Sequence, residues 1–192
     1  MADQIKLADI ASVRLCYPFR GKVPEHINGN GKVIQLRNIN KEGDIDWSNL
    51  MPTDVLTKHQ QTFLQTGDII FAARGGNNVA CLIDRTESNI VSSQHFYMIS
   101  VNNVDEILPE FLAWQINQAI AQKYFTQSAV GFLHVSIRRA VLDTLPITIP
   151  SMNKQKTIVA LAQKAKREKQ LLNQLIENRD TEMQFIAKQI LQ

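Results

Sequence analysis

The sequence predicts an α+β fold: a twisted, mostly antiparallel β body with flanking helices, followed by one long coiled-coil α-helix. Three observations carry this. Residues 5–101 hold short apolar, β-branched or aromatic runs separated by Gly, Asn and Asp turns. Pro109 opens a segment whose apolar residues recur at helical spacing. Residues 153–192 contain neither glycine nor proline and carry apolar residues in alternating steps of four and three. The chain of 192 residues therefore divides into a body, 1–150, and a helix, 151–192.

In chain order, strands are expected at 33–36, 68–72, 79–83 and 95–99. Between them lie turns at 27–31, 38–44 and 74–78, rich in Asn and Gly. The helix from Pro109 has an apolar face of Phe111, Leu112, Trp114, Ile116, Ala119, Ile120 and Tyr124, with Gln115 set among them. Gly131 interrupts it, and a short helix follows near 136–142. Residues 145–150, bounded by Pro146 and Pro150, read as a closing extended segment.

The last segment differs in kind. Ile158, Ala162, Ala165, Lys169, Leu172, Ile176, Arg179, Met183, Ile186 and Ile190 form a heptad seam with a period of about 3.5 residues. Forty helical residues extend roughly 60 Å, longer than a body of this size can cover. The apolar stripe of Ile158, Ala162, Ala165, Leu172, Ile176, Met183, Ile186 and Ile190 is therefore assigned to a dimer interface. The alternative is a helix folded back along its own body.

Composition excludes several classes. Apolar residues make up 44% of the chain, too many for disorder. There is no apolar run of membrane-spanning length, and Met1-Ala2-Asp3-Gln4 does not open a signal peptide. Cys16 and Cys81 lack CxxC spacing and read as two thiols in a reducing cytoplasm. Net charge is only +3, but it is unevenly placed. Residues 151–192 carry eight Lys and Arg against four carboxylates. Over 14–41, Arg14, Arg20, Lys22, Lys32, Arg37 and Lys41 face only Glu25, a local excess that fits a phosphate-facing surface.

Catalytic signatures are missing. Gly29-Asn30-Gly31 lacks the third glycine of a dinucleotide loop, and no P-loop is present. His26, His59, His95 and His134 have no zinc-ligand spacing, and no Asn-Pro-Pro-aromatic run for chemistry on a flipped base occurs. The reading is a chain that is not an enzyme and holds no cofactor or metal of its own.

Four motifs in order then resemble a known family. Leu7-Ala8-Asp9-Ile10 resembles the "L-G-D-I" opening of target-recognition domains. Leu64-Gln65-Thr66-Gly67-Asp68-Ile69-Ile70-Phe71 is similar to their "L-x-x-G-D-I-L-f" strand, followed by Gly75-Gly76. Glu110-Phe111-Leu112 resembles their "p-x-Y-L" helix start. Residues 145–150, with Gln155 and Ile158, resemble the closing "L-x-I-P-x-P-x-x-x-E-Q-x-x-I". The family is the specificity (S) subunit of type I restriction-modification systems. Ala8 stands where Gly is usual, and Lys154 where Glu is usual. The usual S subunit has two domain-plus-helix repeats and this chain has one, which implies a half-size subunit that dimerises, or a fragment.

The resemblance implies sequence-specific reading of double-stranded DNA by the body, with the helix as spacer. It also implies two partners, a modification methyltransferase subunit docked on the helix and a restriction/translocase subunit. An antiparallel homodimer would read a bipartite inverted site. Centred on residue 174, such a pairing would face Lys169 with Arg179, so a register shifted by about one heptad, or a polar layer wetted or paired to Glu168 and Glu182, is expected. Phosphate contacts are assigned to Arg20, Lys22, Lys32 and Lys41. Base-edge contacts are assigned to Arg37, Asn38, Asn40, Arg74, Asn77 and Asn78, because Arg suits guanine and Asn suits adenine. His134, Ser136, Arg138 and Arg139 form a second DNA-binding loop. Two other readings compete: a small DNA-acting enzyme, either a nuclease or part of a methyltransferase, and a coiled-coil adaptor with no DNA role.

Overall fold

The computed structural model describes residues 4–56, 63–85, 89–128 and 136–191. The core is a four-stranded antiparallel sheet of β2 (Ala11–Leu15), β8 (Phe96–Val101), β5 (Ile69–Ala72) and β6 (Ala80–Leu82), in that spatial order. All four residues of β5 are buried. Alternation along the strand sends Ile69 and Phe71 into one apolar cluster and Ile70 and Ala72 into another. A strand covered on both faces reads as a continuous apolar run, which is why 68–72 stands out in the sequence.

A second sheet sets β4 (Met51–Thr53) and β7 (Ile90–Ser92) on either side of β3 (Gly31–Ile34). The β3–β4 pair is antiparallel and the β3–β7 pair parallel. Val33, Val55, Val91, Phe19 and Val23 fill its core. The third sheet is the pair β1 (Gln4–Lys6) and β9 (Pro146–Thr148), which ties the start of the body to its end. Helix α1 (Leu7–Ile10) links β1 to β2, so the Leu7-Ala8-Asp9-Ile10 motif is a single turn between two strands that buries Leu7 and Ile10 and leaves Ala8 and Asp9 exposed.

The helix expected from Pro109 is two helices. α2 (Pro109–Ile116) and α3 (Ala119–Ser128) are separated at Asn117 and Gln118. The physical cause is tertiary. Asn117 turns its amide to β6, accepting from Ala80 N–H at 2.8 Å and donating to Ala80 O at 2.8 Å. Ile120, placed on the apolar face by periodicity, is 81% exposed because the break rotates α3. Helix α4 (Arg139–Asp143) follows, starting later than the helix expected near 136–142.

Helix α5 (Met152–Leu191) is one continuous helix of 40 residues. Gln155 fixes its start. Fully buried, it accepts from Leu108 N–H at 2.9 Å and donates to Glu106 O at 2.8 Å and Pro150 O at 2.9 Å. The motif glutamine is thus a plug that satisfies three backbone groups where α2 and α5 meet. Ile158 and Val159 pack on the core of the body, so the first seam residue already has a partner within its own chain. From residue 163 to 191 every residue is exposed.

Candidate nucleic-acid interface

Several loops converge at one end of the four-stranded sheet, and the polar run Ser92-Ser93-Gln94-His95 holds them together. Tyr17 N–H donates to Ser92 O at 3.2 Å, and Ser93 N–H donates to Ile34 O at 3.0 Å. Ala73 N–H donates to His95 O at 3.0 Å, and Ile137 N–H donates to Ala73 O at 2.9 Å. Gln94 Nε2 donates to Gly21 O at 3.3 Å. These bonds gather residues 16–22, 35–37, 73–76 and 136–139 around one connection. The β-rich frame below is rigid, and loops on such a frame are where binding residues concentrate.

The gathered loops carry exposed cations: Arg20 and Lys22, Arg37, Arg74, Arg138 and Arg139. Arg37 Nη2 lies 3.5 Å from Met51 Sδ, and Arg139 Nε lies 3.4 Å from Asp143 Oδ2. Ser136 is half-buried beside Ile137. Arg74 precedes Gly75, which has φ +105° and presses on Leu36, where a Cβ would stand 2.7 Å from Leu36 Cδ1. That close approach seats the Arg74 loop against the Arg37 loop. These exposed cations stand on backbone that is itself pinned by hydrogen bonds.

Other residues assigned to DNA from the sequence fall elsewhere. Asn38 is 3% exposed, and its amide is occupied: Oδ1 accepts from Gln35 N–H and Nδ2 donates to Asn49 O, both at 2.9 Å. From that position it shapes a 3-10 turn at Leu36–Asn38. Asn40 closes its own turn, with Oδ1 accepting from Glu42 N–H and Asp44 N–H and Nδ2 donating to Asp44 Oδ2. Lys32 lies within β3, half-buried. Lys41, Asn77 and Asn78 border a separate cleft of about 1270 Å³ between the body and α5, together with Trp47, Trp114 and Lys166. Asn78 Nδ2 is held by Ala72 O at 2.9 Å. His134 lies outside the described residues.

The motifs that carry the family resemblance are structural when seen in place. Gly67 has φ +93°, and Asp68 Oδ2 accepts from Gln65 N–H at 2.8 Å, closing the turn before β5. Asp68 Oδ1 accepts from Ser100 Oγ at 2.6 Å, and Arg14 Nη2 donates to Ser100 Oγ at 3.1 Å. The Ser92–His95 connection was missed by sequence reasoning. Its only signal is a four-residue polar run, free of Gly and Pro, that directly precedes an apolar strand.

Among the described residues, no group of three or more His, Cys, Asp or Glu could hold a metal ion, and no helix is long and apolar enough to cross a membrane. Cys16 and Cys81 are free thiols, each pushed up to about 12 by burial, so at neutral pH neither is a thiolate nucleophile. Glu42 is held below the usual carboxylate range by a hydrogen bond from Lys169 and by that lysine's charge. Asp46 is lowered by hydrogen bonds from Ser48 and Asn49.

Comparison with known proteins places this architecture. Residues 5–178 match the model of the type I restriction modification DNA specificity domain. The S subunit of the type I restriction-modification system from M. genitalium is similar in fold, with TM-score 0.62 and 14% identity over 91% of this chain and 41% of that one. A chain from a structure on complex assembly and conformational transition of the type I R-M system has TM-score 0.70 and 17% identity, over 98% and 48%. The HsdS subunit from Thermoanaerobacter tengcongensis has TM-score 0.52 and 13% identity, over 86% and 37%. This chain spans less than half the length of each of these structures. No curated protein matches it. With the long helix, the three small sheets and the four ordered motifs in place, the chain belongs to the family of type I restriction modification DNA specificity domains.

Proposed function

We propose that this chain is the non-catalytic, sequence-reading subunit of a type I restriction-modification complex in the cytoplasm. The cationic loop end reads DNA. Arg20, Lys22, Arg138 and Arg139 neutralise phosphates, and Arg37 and Arg74 reach base edges in the major groove. Two chains pair through α5, antiparallel about a two-fold axis, and present their loop ends to two inverted half-sites. A methyltransferase subunit and a restriction subunit supply the chemistry and their own cofactors.

The observation that carries this is the state of α5. Beyond the body it extends roughly 30 Å with Leu172, Ile176, Met183, Ile186 and Ile190 exposed on one stripe. An isolated helix bearing such a stripe is marginal in water, and a second helix removes that apolar surface from solvent. The two seam cations are also neutralised within the chain. Arg179 Nη1 lies 3.0 Å from Glu182 Oε2, and Lys169 Nζ lies 2.7 Å from Glu42 Oε1. The polar layer foreseen at Glu182 is available, whereas Lys169 pairs with the body in place of Glu168. This relieves the like-charge conflict of a pairing centred on residue 174.

Light scattering of the purified chain, followed by binding to a random duplex library, tests the reading. A dimer that enriches one gapped, inverted motif supports it. A monomer that enriches nothing, alone or with a methyltransferase subunit, refutes it.

A further inference from the structure

The turn at 40–46 touches α5 far from the helix's anchored start. Glu42 Oε1 takes the Lys169 ammonium at 2.7 Å, and Asp44 Oδ1 pairs with Lys166. We infer that these pairs form a bracket that fixes the angle between α5 and the body and so determines how many base pairs separate the two half-sites. The spacing consequence rests on the dimeric reading proposed above.

The turn is seated firmly enough to act as a bracket. Asn40 closes it internally, and Gly43 N–H donates to Asn40 O at 3.2 Å. Gly43, at φ +82°, lies so close to β6 that a Cβ would stand 2.8 Å from Ala80 O. Ala80 is the residue that Asn117 clasps from the break after α2. Asp46 N–H donates to the carbonyl of buried Asn38 at 2.7 Å. The two carboxylates are therefore held out from the sheet at a set position. Lys166 is partly withdrawn from water, enough for desolvation to lower its pKa.

Exposed ion pairs contribute little to stability, so stability is not their role here. Leverage is. Lys169 stands about 26 Å along α5 from its start and Leu191 about 59 Å. About 2 Å of slack at the bracket becomes about 5 Å at the tip, more than the roughly 3.4 Å rise of one base pair. Without the bracket, the helix angle rests chiefly on contacts near its start, the plug at Gln155 and the packing of Ile158 and Val159.

The test uses the full chain and charge reversal. Nitroxide labels at Asn102→Cys on the body and Gln189→Cys near the tip report the helix angle, with excess unlabelled chain present so that distances are read within one protomer. Both positions are exposed, and the raised pKa of Cys16 and Cys81 keeps those thiols slow to label. K169E and E42K should each broaden the distance distribution, and the double variant E42K/K169E should narrow it again. In the library selection, each single variant should spread the gap over at least one additional base pair and the double variant should restore one gap. Unchanged distance distributions in both single variants overturn the bracket. Broadened distances with an unchanged gap overturn its role in spacing. If the wild-type chain selects no gapped motif, the dimeric reading fails, while the distance measurement still judges the bracket.

Discussion

Lys169 of the long helix meets Glu42 of the 40–46 turn at 2.7 Å, across 127 positions of sequence. The heptad pattern placed Lys169 in a seam, where a cation is a liability. The tertiary fold gives it a carboxylate from the body. That carboxylate has its pKa lowered chiefly by this hydrogen bond and then by the lysine's charge.

A pH dependence follows from the sign of that shift. A carboxylate with a depressed pKa contributes to the folded arrangement above its ordinary value of 4.5 and loses that contribution as pH falls through the depressed value. The ammonium groups of Lys169, Lys41 and Lys166 face Glu42. The body-to-tip distance distribution should therefore be unchanged between pH 8 and about 5 and broaden below about 4.5. In K169E the same acid-dependent step should vanish.

Ile176 is 58% exposed in the middle of the free stripe. Replacing it with Glu forfeits about 2 kcal/mol of apolar burial in a paired state and sets a carboxylate in the seam. Pairing should weaken by about a hundredfold or more, read as monomers by light scattering at micromolar concentration. The far-ultraviolet circular dichroism of the body should be retained.

Arg74 and Lys22 lie on loops tied to the same connection yet should respond differently. Arg74→Ala should cost about 1–3 kcal/mol on the preferred motif and relax the base preference at one position. Lys22→Ala should weaken all sequences alike and reduce the slope of log affinity against log salt by about one. Equal loss at every sequence for both variants would show that Arg74 contacts phosphate only.

Gln155 fills a fully buried site with three hydrogen bonds. Gln155→Leu keeps the volume but leaves Leu108 N–H, Glu106 O and Pro150 O unpaired. The expected loss is about 2–4 kcal/mol in urea denaturation. Gln155→Glu should not restore it, because an ionised carboxylate accepts from Leu108 N–H but offers no donor to Glu106 O and Pro150 O.

Much of the fold was legible because its signals are local. The apolar run at 68–72, the Gly67-Asp68 turn before it and the uninterrupted segment after Pro150 each declare an element from neighbouring residues alone. The candidate interface was legible only in part. Arg20, Lys22, Arg37, Arg74, Ser136, Arg138 and Arg139 are on the gathered loops, but Asn38 and Asn40 hold their own turns. An asparagine that reads a base and one that caps a turn have the same side chain and the same Gly- and Asp-rich neighbours. Ser92–His95 carried almost no signal, since its role lies in backbone bonds to segments far away in sequence.

Periodicity, prolines and turn residues by themselves determined an α+β body and a forty-residue helix with an apolar stripe, because helix and strand periods are properties of adjacent residues. Only the tertiary structure decided where the helix after Pro109 breaks, which loops share one end of the sheet, and that Lys169 is answered by Glu42. Each of those depends on a contact between residues distant in the chain, and such contacts exist only once the core has closed.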